Sequence, residues 1–181
     1  MHLPDLALST GEAAAVIGVH WTRIAKMAAA GQLKYKEIEG GWGPKSRSIK
    51  IYSLHDCERE FAEYLEMRAA DDPWLRRPRT KVDDRRPMLK KLAKVEPITF
   101  KDAIGTGEVA DLLRIDPKLA VRYAEEGVIR ARKPIDDARG SQQSQSRWWI
   151  YSLDSAKARR GNIIEKELDG TKRGIRKFYE G

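Results

Sequence analysis

Apolar residues recur at three- and four-residue steps in two stretches that match each other. Ala13, Val16 and Ile17 stand at i, i+3 and i+4, and Val109, Leu112 and Leu113 repeat the pattern. Each triplet predicts a short helix with one apolar stripe. A second helix follows in each stretch. Ile24, Met27 and Ala28 form its inward stripe in the first, and Ala120, Tyr123 and Ala124 in the second. Thr10 and Thr106 are expected as N-caps of the leading helices. Gly18 ends the first leading helix, and Arg114 stands in the equivalent place. Asp116 followed by Pro117 is a helix start, because aspartate accepts from first-turn amides and proline has none to leave unpaired. Gly31 and Gly127 sit where a helix stops in the left-handed conformation. The unit predicted twice is helix, tight turn, helix.

The period then changes from helical to alternating. Leu33 to Ile38 and Arg47 to Tyr52 predict a hairpin around Gly40-Gly41, with Ile49 and Ile51 facing inward between Ser48 and Lys50. The second stretch repeats it with Val128 to Lys133 and Arg147 to Tyr151. Trp148 takes the core-facing place of Ile49, and Trp149 aligns with exposed Lys50. A helix closes each unit: Leu54 to about Arg68, with Phe61, Tyr64 and Leu65 on one face, and Leu153 to Arg160, beyond which Gly161, Gly170 and Gly174 argue against one long helix.

These parallels are an internal repeat. Residues 10–36 align without a gap to residues 106–132, with Thr10/Thr106, Gly11/Gly107, Glu12/Glu108, Ala14/Ala110, Ala28/Ala124 and Gly31/Gly127 identical. Ile51-Tyr52-Ser53-Leu54 recurs as Ile150-Tyr151-Ser152-Leu153. Two copies make a tandem pair, since a solenoid needs about three repeats. The expected organisation is a first domain over 1–70, a basic proline-containing linker over 71–99, a second domain over 100–160 and a basic tail over 161–181. One short helix, Met88 to Lys94, is expected inside the linker.

Charge sharpens this picture. The 181 residues carry 35 bases and 27 acids, a net charge of +8, which is compatible with a polyanionic partner. The excess is uneven. Residues 1–70 hold nine bases and nine acids, whereas residues 71–100 and 101–181 each carry net +4. The linker arginines Arg76, Arg77, Arg79, Arg85 and Arg86, with Lys81, either follow a phosphate backbone or solvate a spacer. No apolar run is long enough for a membrane span, and the first residues lack the pattern of a signal peptide. A cytoplasmic protein is expected. Cys57 is the only cysteine, so neither an internal disulfide nor a cysteine-rich zinc site is expected.

Both copies resemble the winged helix-turn-helix domain of MerR-type regulators and phage excisionases. The resemblance rests on TGEAAAVIGVHWTRIAKMAAAGQL and TGEVADLLRIDPKLAVRYAEEGVI, each followed by its hairpin, and covers about residues 6–67 and 100–157. It implies a mainly α fold with small β-hairpin wings: two tandem winged helix-turn-helix domains. It also implies a bacterial or phage source and duplex DNA as the partner, with the second helix in the major groove and the wing on the flanking backbone or minor groove. The long dimerisation helix and sensor cysteines of the effector-binding members are not evident, and no cofactor is expected.

A major groove about 12 Å wide admits one helix. In the first copy Thr22, Arg23 and Lys26 face away from the apolar stripe. Arginine can grip a guanine edge bidentately, and threonine can touch phosphate or a thymine methyl. The family pattern puts early contacts on Trp21, Thr22 and Arg23; the equivalents are Pro117, Lys118 and Leu119, with Arg122 a turn later. The first wing offers Trp42, Lys45, Arg47 and Lys50, the second Arg139 and Arg147. His20 is expected to cap its helix or to touch phosphate. Exposed aromatics, among them Trp21, Trp42, Trp74 and Trp149, serve equally in a competing reading, in which one copy binds protein or a second chain instead of DNA. No catalytic motif is recognisable, and paired Asp71-Asp72 and Asp83-Asp84 lie among linker arginines. The expectation is a sequence-specific DNA-binding protein with two heads, a transcriptional regulator before an excisionase-like architectural factor or a terminase small subunit, and not an enzyme.

Overall fold

The computed structural model describes the backbone of residues 3–40, 48–71, 86–135 and 148–179. It is mainly helical, with two small three-stranded antiparallel sheets. In chain order the elements are β1 (Ala7–Leu8), α1 (Thr10–Ile17), α2 (Trp21–Ala29), β2 (Tyr35–Glu39), β3 (Ser48–Ser53), α3 (Leu54–Asp71), α4 (Arg86–Leu92), β4 (Ala103–Ile104), α5 (Thr106–Leu113), α6 (Pro117–Glu125), β5 (Ala131–Arg132), β6 (Ile150–Ser152) and α7 (Leu153–Tyr179).

The two halves follow one plan. Their sheets have the orders β1-β3-β2 and β4-β6-β5, with Ala7 opposite Ser53 in one and Ala103 opposite Ser152 in the other. The tight turns also match. Gly18 leaves α1 at φ 80°, and Arg114 leaves α5 at φ 55°. Arg114 is the one described non-glycine residue with positive φ, a conformation that costs an L-residue about 1–2 kcal/mol. His20 and Asp116 cap the second helices by accepting from Thr22 N and Lys118 N, and Pro117 opens α6 as expected. Gly31 and Gly127 stop those helices at φ 76° and 70°.

The leading helices are capped one residue earlier than expected. Ser9, not Thr10, caps α1: its hydroxyl accepts from Glu12 N while the Glu12 carboxylate accepts from Ser9 N at 2.7 Å. Gly105, not Thr106, stands before α5 and gives its N–H to Glu108. Threonine instead begins each helix, directly beside the capped residue.

The apolar stripes are where periodicity puts them. Ile24, Met27 and Ala28 are buried in a first core with Val16, Ile17, Leu54 and Cys57, and Ala120, Tyr123 and Ala124 in a second with Val109, Leu113 and Tyr151. A third cluster mixes the halves: Ala7, Ile38 and Ile51 pack with Ile98, Ala103 and Ile150, and Ile49 and Trp148 flank it together. Trp149, expected outward, is half-buried against the second core, because Tyr151 packs on its ring and the Lys133 ammonium covers it at 4.7 Å.

Other expectations need correcting. The segment assigned to a linker contributes to cores: Met88 and Leu92 of α4 join the first, and Ile98 the third. Residues 98–100 also pair with residues 5–7 through Ala7 N to Ile98 O at 2.9 Å and Phe100 N to Asp5 O at 2.8 Å. Leu65 is 42% exposed rather than part of a buried face with Phe61. Finally, α7 does not stop near Arg160 but runs through the glycines to Tyr179. Two turn-spaced anchors carry it past Gly161: Ile163 enters the second core, and Glu167 accepts a 2.5 Å hydrogen bond from Tyr123 on α6.

Contacts between the halves are reciprocal. Lys36 on β2 donates from Nζ to Ala103 O at 2.7 Å, and its repeat counterpart Arg132 on β5 donates to Ala7 O, the counterpart of Ala103. The end of β2, at Glu39, lies against Gly105 and Gly107 at the start of α5. Its counterpart Ile135 donates from N to Glu12 at the start of α1, at 2.9 Å. Exchanging the copies therefore maps the Lys36 contact onto the Arg132 contact and brings the same segments together in the second pair, though by different bonds, an approximately isologous arrangement. One member is stronger than its partner. Arg132 and Glu12, with side chains 3% and 0% exposed, form a bidentate pair at 2.7 and 3.1 Å.

Candidate nucleic-acid interface

The outer face of α2 follows from the amphipathic period that buries Ile24, Met27 and Ala28, since residues between those positions must point away. Trp21, Thr22, Arg23 and Lys26 are all exposed, Trp21 at 52%. The Trp21 ring leans on His20, centroids 5.5 Å apart, and the Thr22 hydroxyl lies 2.9 Å from His20 Nδ1. His20 thus performs the capping role and also fixes the first turn. Thr22, Arg23 and Lys26 line an open groove of about 400 Å³ together with Met27, Ala30 and Gln32. Gln32 was not anticipated; it follows the glycine stop, where the chain doubles back along the helix.

Of the candidate contact residues on the first hairpin, only Lys50 lies among the described residues; Trp42, Lys45 and Arg47 fall outside them. Lys50 sits over the Tyr35 ring at 4.2 Å and 3.8 Å from Glu37. It is a half-buried strand residue on the sheet, and its charge is partly answered.

The second copy presents different chemistry in the same frame. Lys118 and Arg122 on α6 are exposed. Leu119, at the place of Arg23, is half-buried and packs against the second core. Arg122 Nε donates to Glu126 Oε1 at 2.7 Å across one helical turn. That bond holds the Glu126 carboxyl below its usual range and pushes the Arg122 guanidinium further up. Arg139 and Arg147 fall outside the described residues. Beneath this face, burial and the bond to Glu167 push the Tyr123 phenol up to about 12.

The remaining chemistry is sparse. Cys57 is buried, and desolvation raises its thiol far above the range in which a thiolate forms. Among the described residues no three His, Cys, Asp or Glu side chains gather as a metal site, and no helix is long and apolar enough to cross a membrane. Sequence reasoning missed Arg132 and Glu126. Arg132 had a signal, since the repeat aligns it with Lys36, a base on the equivalent strand of the other copy; Glu126 had one in its i+4 spacing from Arg122. Comparison of the chain with family models, curated proteins and solved structures returns no match.

Proposed function

We propose that the chain is a sequence-specific duplex DNA-binding protein with two winged helix-turn-helix heads, acting as a transcriptional regulator. The observation that carries the reading is α2. It is a nine-residue helix held at its start by His20 and stopped at Gly31, with Thr22, Arg23 and Lys26 around one open groove. A capped helix with its bases outward is what a major groove accepts, and arginine supplies the bidentate reach to guanine. The repeat offers a second helix in the same frame, α6, with Lys118 and Arg122 outward.

The reciprocal contacts between the copies add a geometric expectation. Helices related by a two-fold approach a duplex with opposite polarity, so the two half-sites stand inverted. Because Arg23 faces Leu119 in the alignment, the half-sites differ in sequence. Selection from random duplexes with the full chain tests this. Two dissimilar motifs, inverted and at fixed spacing, are expected, and no enrichment would overturn the reading. The exposed Trp21 favours the second reading, a protein-docking head; an enriched site containing one motif alone would support it.

A further inference from the structure

The two outer helix faces differ in charge, and the difference lies in where the acids sit. Over residues 1–70 nine bases meet nine acids, yet several of those acids face bases other than those of α2. Glu12 is buried against Arg132, Asp56, Glu60 and Glu63 surround Arg59, and Glu37 faces Lys50. Among the described residues Arg23 and Lys26 have no carboxylate partner. In α6 the place of Arg23 is taken by Leu119, and the counterpart of Lys26, Arg122, is bonded to Glu126. Glu125 and Glu126 occupy the places of Ala29 and Ala30. Among the described residues the α2 face therefore carries two cations without a carboxylate partner, whereas α6 carries Lys118 and Arg122 with Glu125 and Glu126 beside them, Arg122 bonded to Glu126.

We propose that, of the two outer helix faces, α2 supplies attraction to the DNA backbone, and that Glu126 is the residue that withholds it from α6. The inference rests on the DNA-binding reading. Backbone affinity comes from counterions released when free cations neutralise phosphates. A guanidinium already 2.7 Å from a carboxylate releases few, because the carboxylate travels with it to the phosphate. With Nε committed to Glu126, Arg122 keeps its two terminal nitrogens for a base edge. The second head discriminates once the first has brought it to the duplex, and Glu126 suppresses its binding to arbitrary sequence.

The test uses the full chain and a duplex of arbitrary sequence, titrated by fluorescence anisotropy between about 0.05 and 0.2 M salt, where each phosphate contact changes the slope of log K against log salt by about 0.9. The double change Arg23→Gln with Lys26→Gln should flatten the slope by about 1.8 and lower affinity more than about tenfold at 0.1 M. Arg122→Gln alone should lower it less than about twofold. Glu126→Gln should steepen the slope by about 0.9 and raise affinity about fivefold or more, and adding Arg122→Gln should return both to the starting values. All four side chains are exposed, so far-ultraviolet circular dichroism should show unchanged helix content. Equal losses from the α2 and Arg122 changes, or no response to Glu126→Gln, would overturn the inference while leaving DNA binding intact. Absence of binding to any duplex by the unaltered chain would overturn both.

Discussion

Replacing Arg132 with methionine should cost the fold about 3–5 kcal/mol, the range for removing one partner of a buried ion pair. The size follows from burial. Arg132 and Glu12 have side chains 3% and 0% exposed and meet at 2.7 and 3.1 Å. An exposed pair at that distance contributes only about 0–1 kcal/mol, because water competes. Here the change would leave a carboxylate without its counter-charge in the interior, and it would also strip Ala7 O and Lys133 O of a donor. Ser9 N and Ile135 N still donate to Glu12, at 2.7 and 2.9 Å, which places the loss toward the lower end of the range. The counterpart change Lys36→Met removes one charged hydrogen bond, to Ala103 O, from a half-buried side chain, and should cost about 1.5 kcal/mol. Urea denaturation of the full chain measures both, with an unchanged m-value as the sign that only stability has moved. The double change Glu12→Gln with Arg132→Met should recover the part of the loss that comes from the unpaired buried charge, while Ala7 O, Lys133 O and one N–H facing the amide stay without partners. A loss below about 1 kcal/mol for Arg132→Met, or a double variant as unstable as the single one, would refute the assignment of this pair as the link between the halves.

Two further tests probe the same architecture. A Cβ at Gly105 would lie 2.2 Å from Glu39 O and 2.7 Å from Glu39 C, backbone atoms that cannot turn aside, so Gly105→Ala should destabilise by about 1–3 kcal/mol; Gly11→Ala meets nothing within 4 Å and should be neutral or stabilising by up to about 1 kcal/mol, with thermal denaturation to rank them. The Tyr123 phenol, raised to about 12 in the folded chain from about 10 unfolded, contributes stability that is fully present below pH 10 and is lost as pH rises through 12; tyrosinate absorbance should show the Tyr123 contribution, identified by difference from Tyr123→Phe, still un-ionised at about pH 11, and ionisation near pH 10 would contradict the buried bond to Glu167.

Local rules made much of this fold legible. The stripes at Ile24, Met27 and Ala28 and at Ala120, Tyr123 and Ala124, the Asp116-Pro117 start and the glycine stops at Gly31 and Gly127 are all where period and capping put them. What was not legible depended on distant partners. β1 and β4 are two residues each, too short to show alternation, and exist because β3 and β6 offer them an edge. α7 outlasts its glycines because Ile163 and Glu167 find the second core and Tyr123, contacts that helix propensity does not contain. The Glu12–Arg132 pair joins residues 120 apart. Of the candidate site, Thr22, Arg23 and Lys26 are legible because the stripe leaves those positions outward. Leu119, which the family pattern sets at the place of Arg23, is half-buried on the flank of the second core, a distinction that alignment to a pattern does not carry.

The differences between the copies become intelligible once the interface is known. Contacts within each copy recur even where the residue changes: Lys34 N bonds Asp56 just as Arg130 N bonds Ser155, while Tyr52 and Tyr151 keep both residue and burial. Positions facing the other copy have diverged in complementary ways. Ser9 caps α1, and Ile135 N and Arg132, which approach that helix start, both find Glu12. Its counterpart is glycine because the backbone of Glu39 occupies the space where a Cβ would stand. A strictly symmetric pair would repeat one solution on both sides. This chain has two, because its copies are covalently joined and each needs to fit only one partner. The same freedom reaches the outer helix faces: Arg23 opposite Leu119 and Ala30 opposite Glu126 are changes that a homodimer would have to make twice. Joining the copies in one chain lets one face stay basic while the other is neutralised, and the clasp at Arg132 and Glu12 holds the unequal faces together.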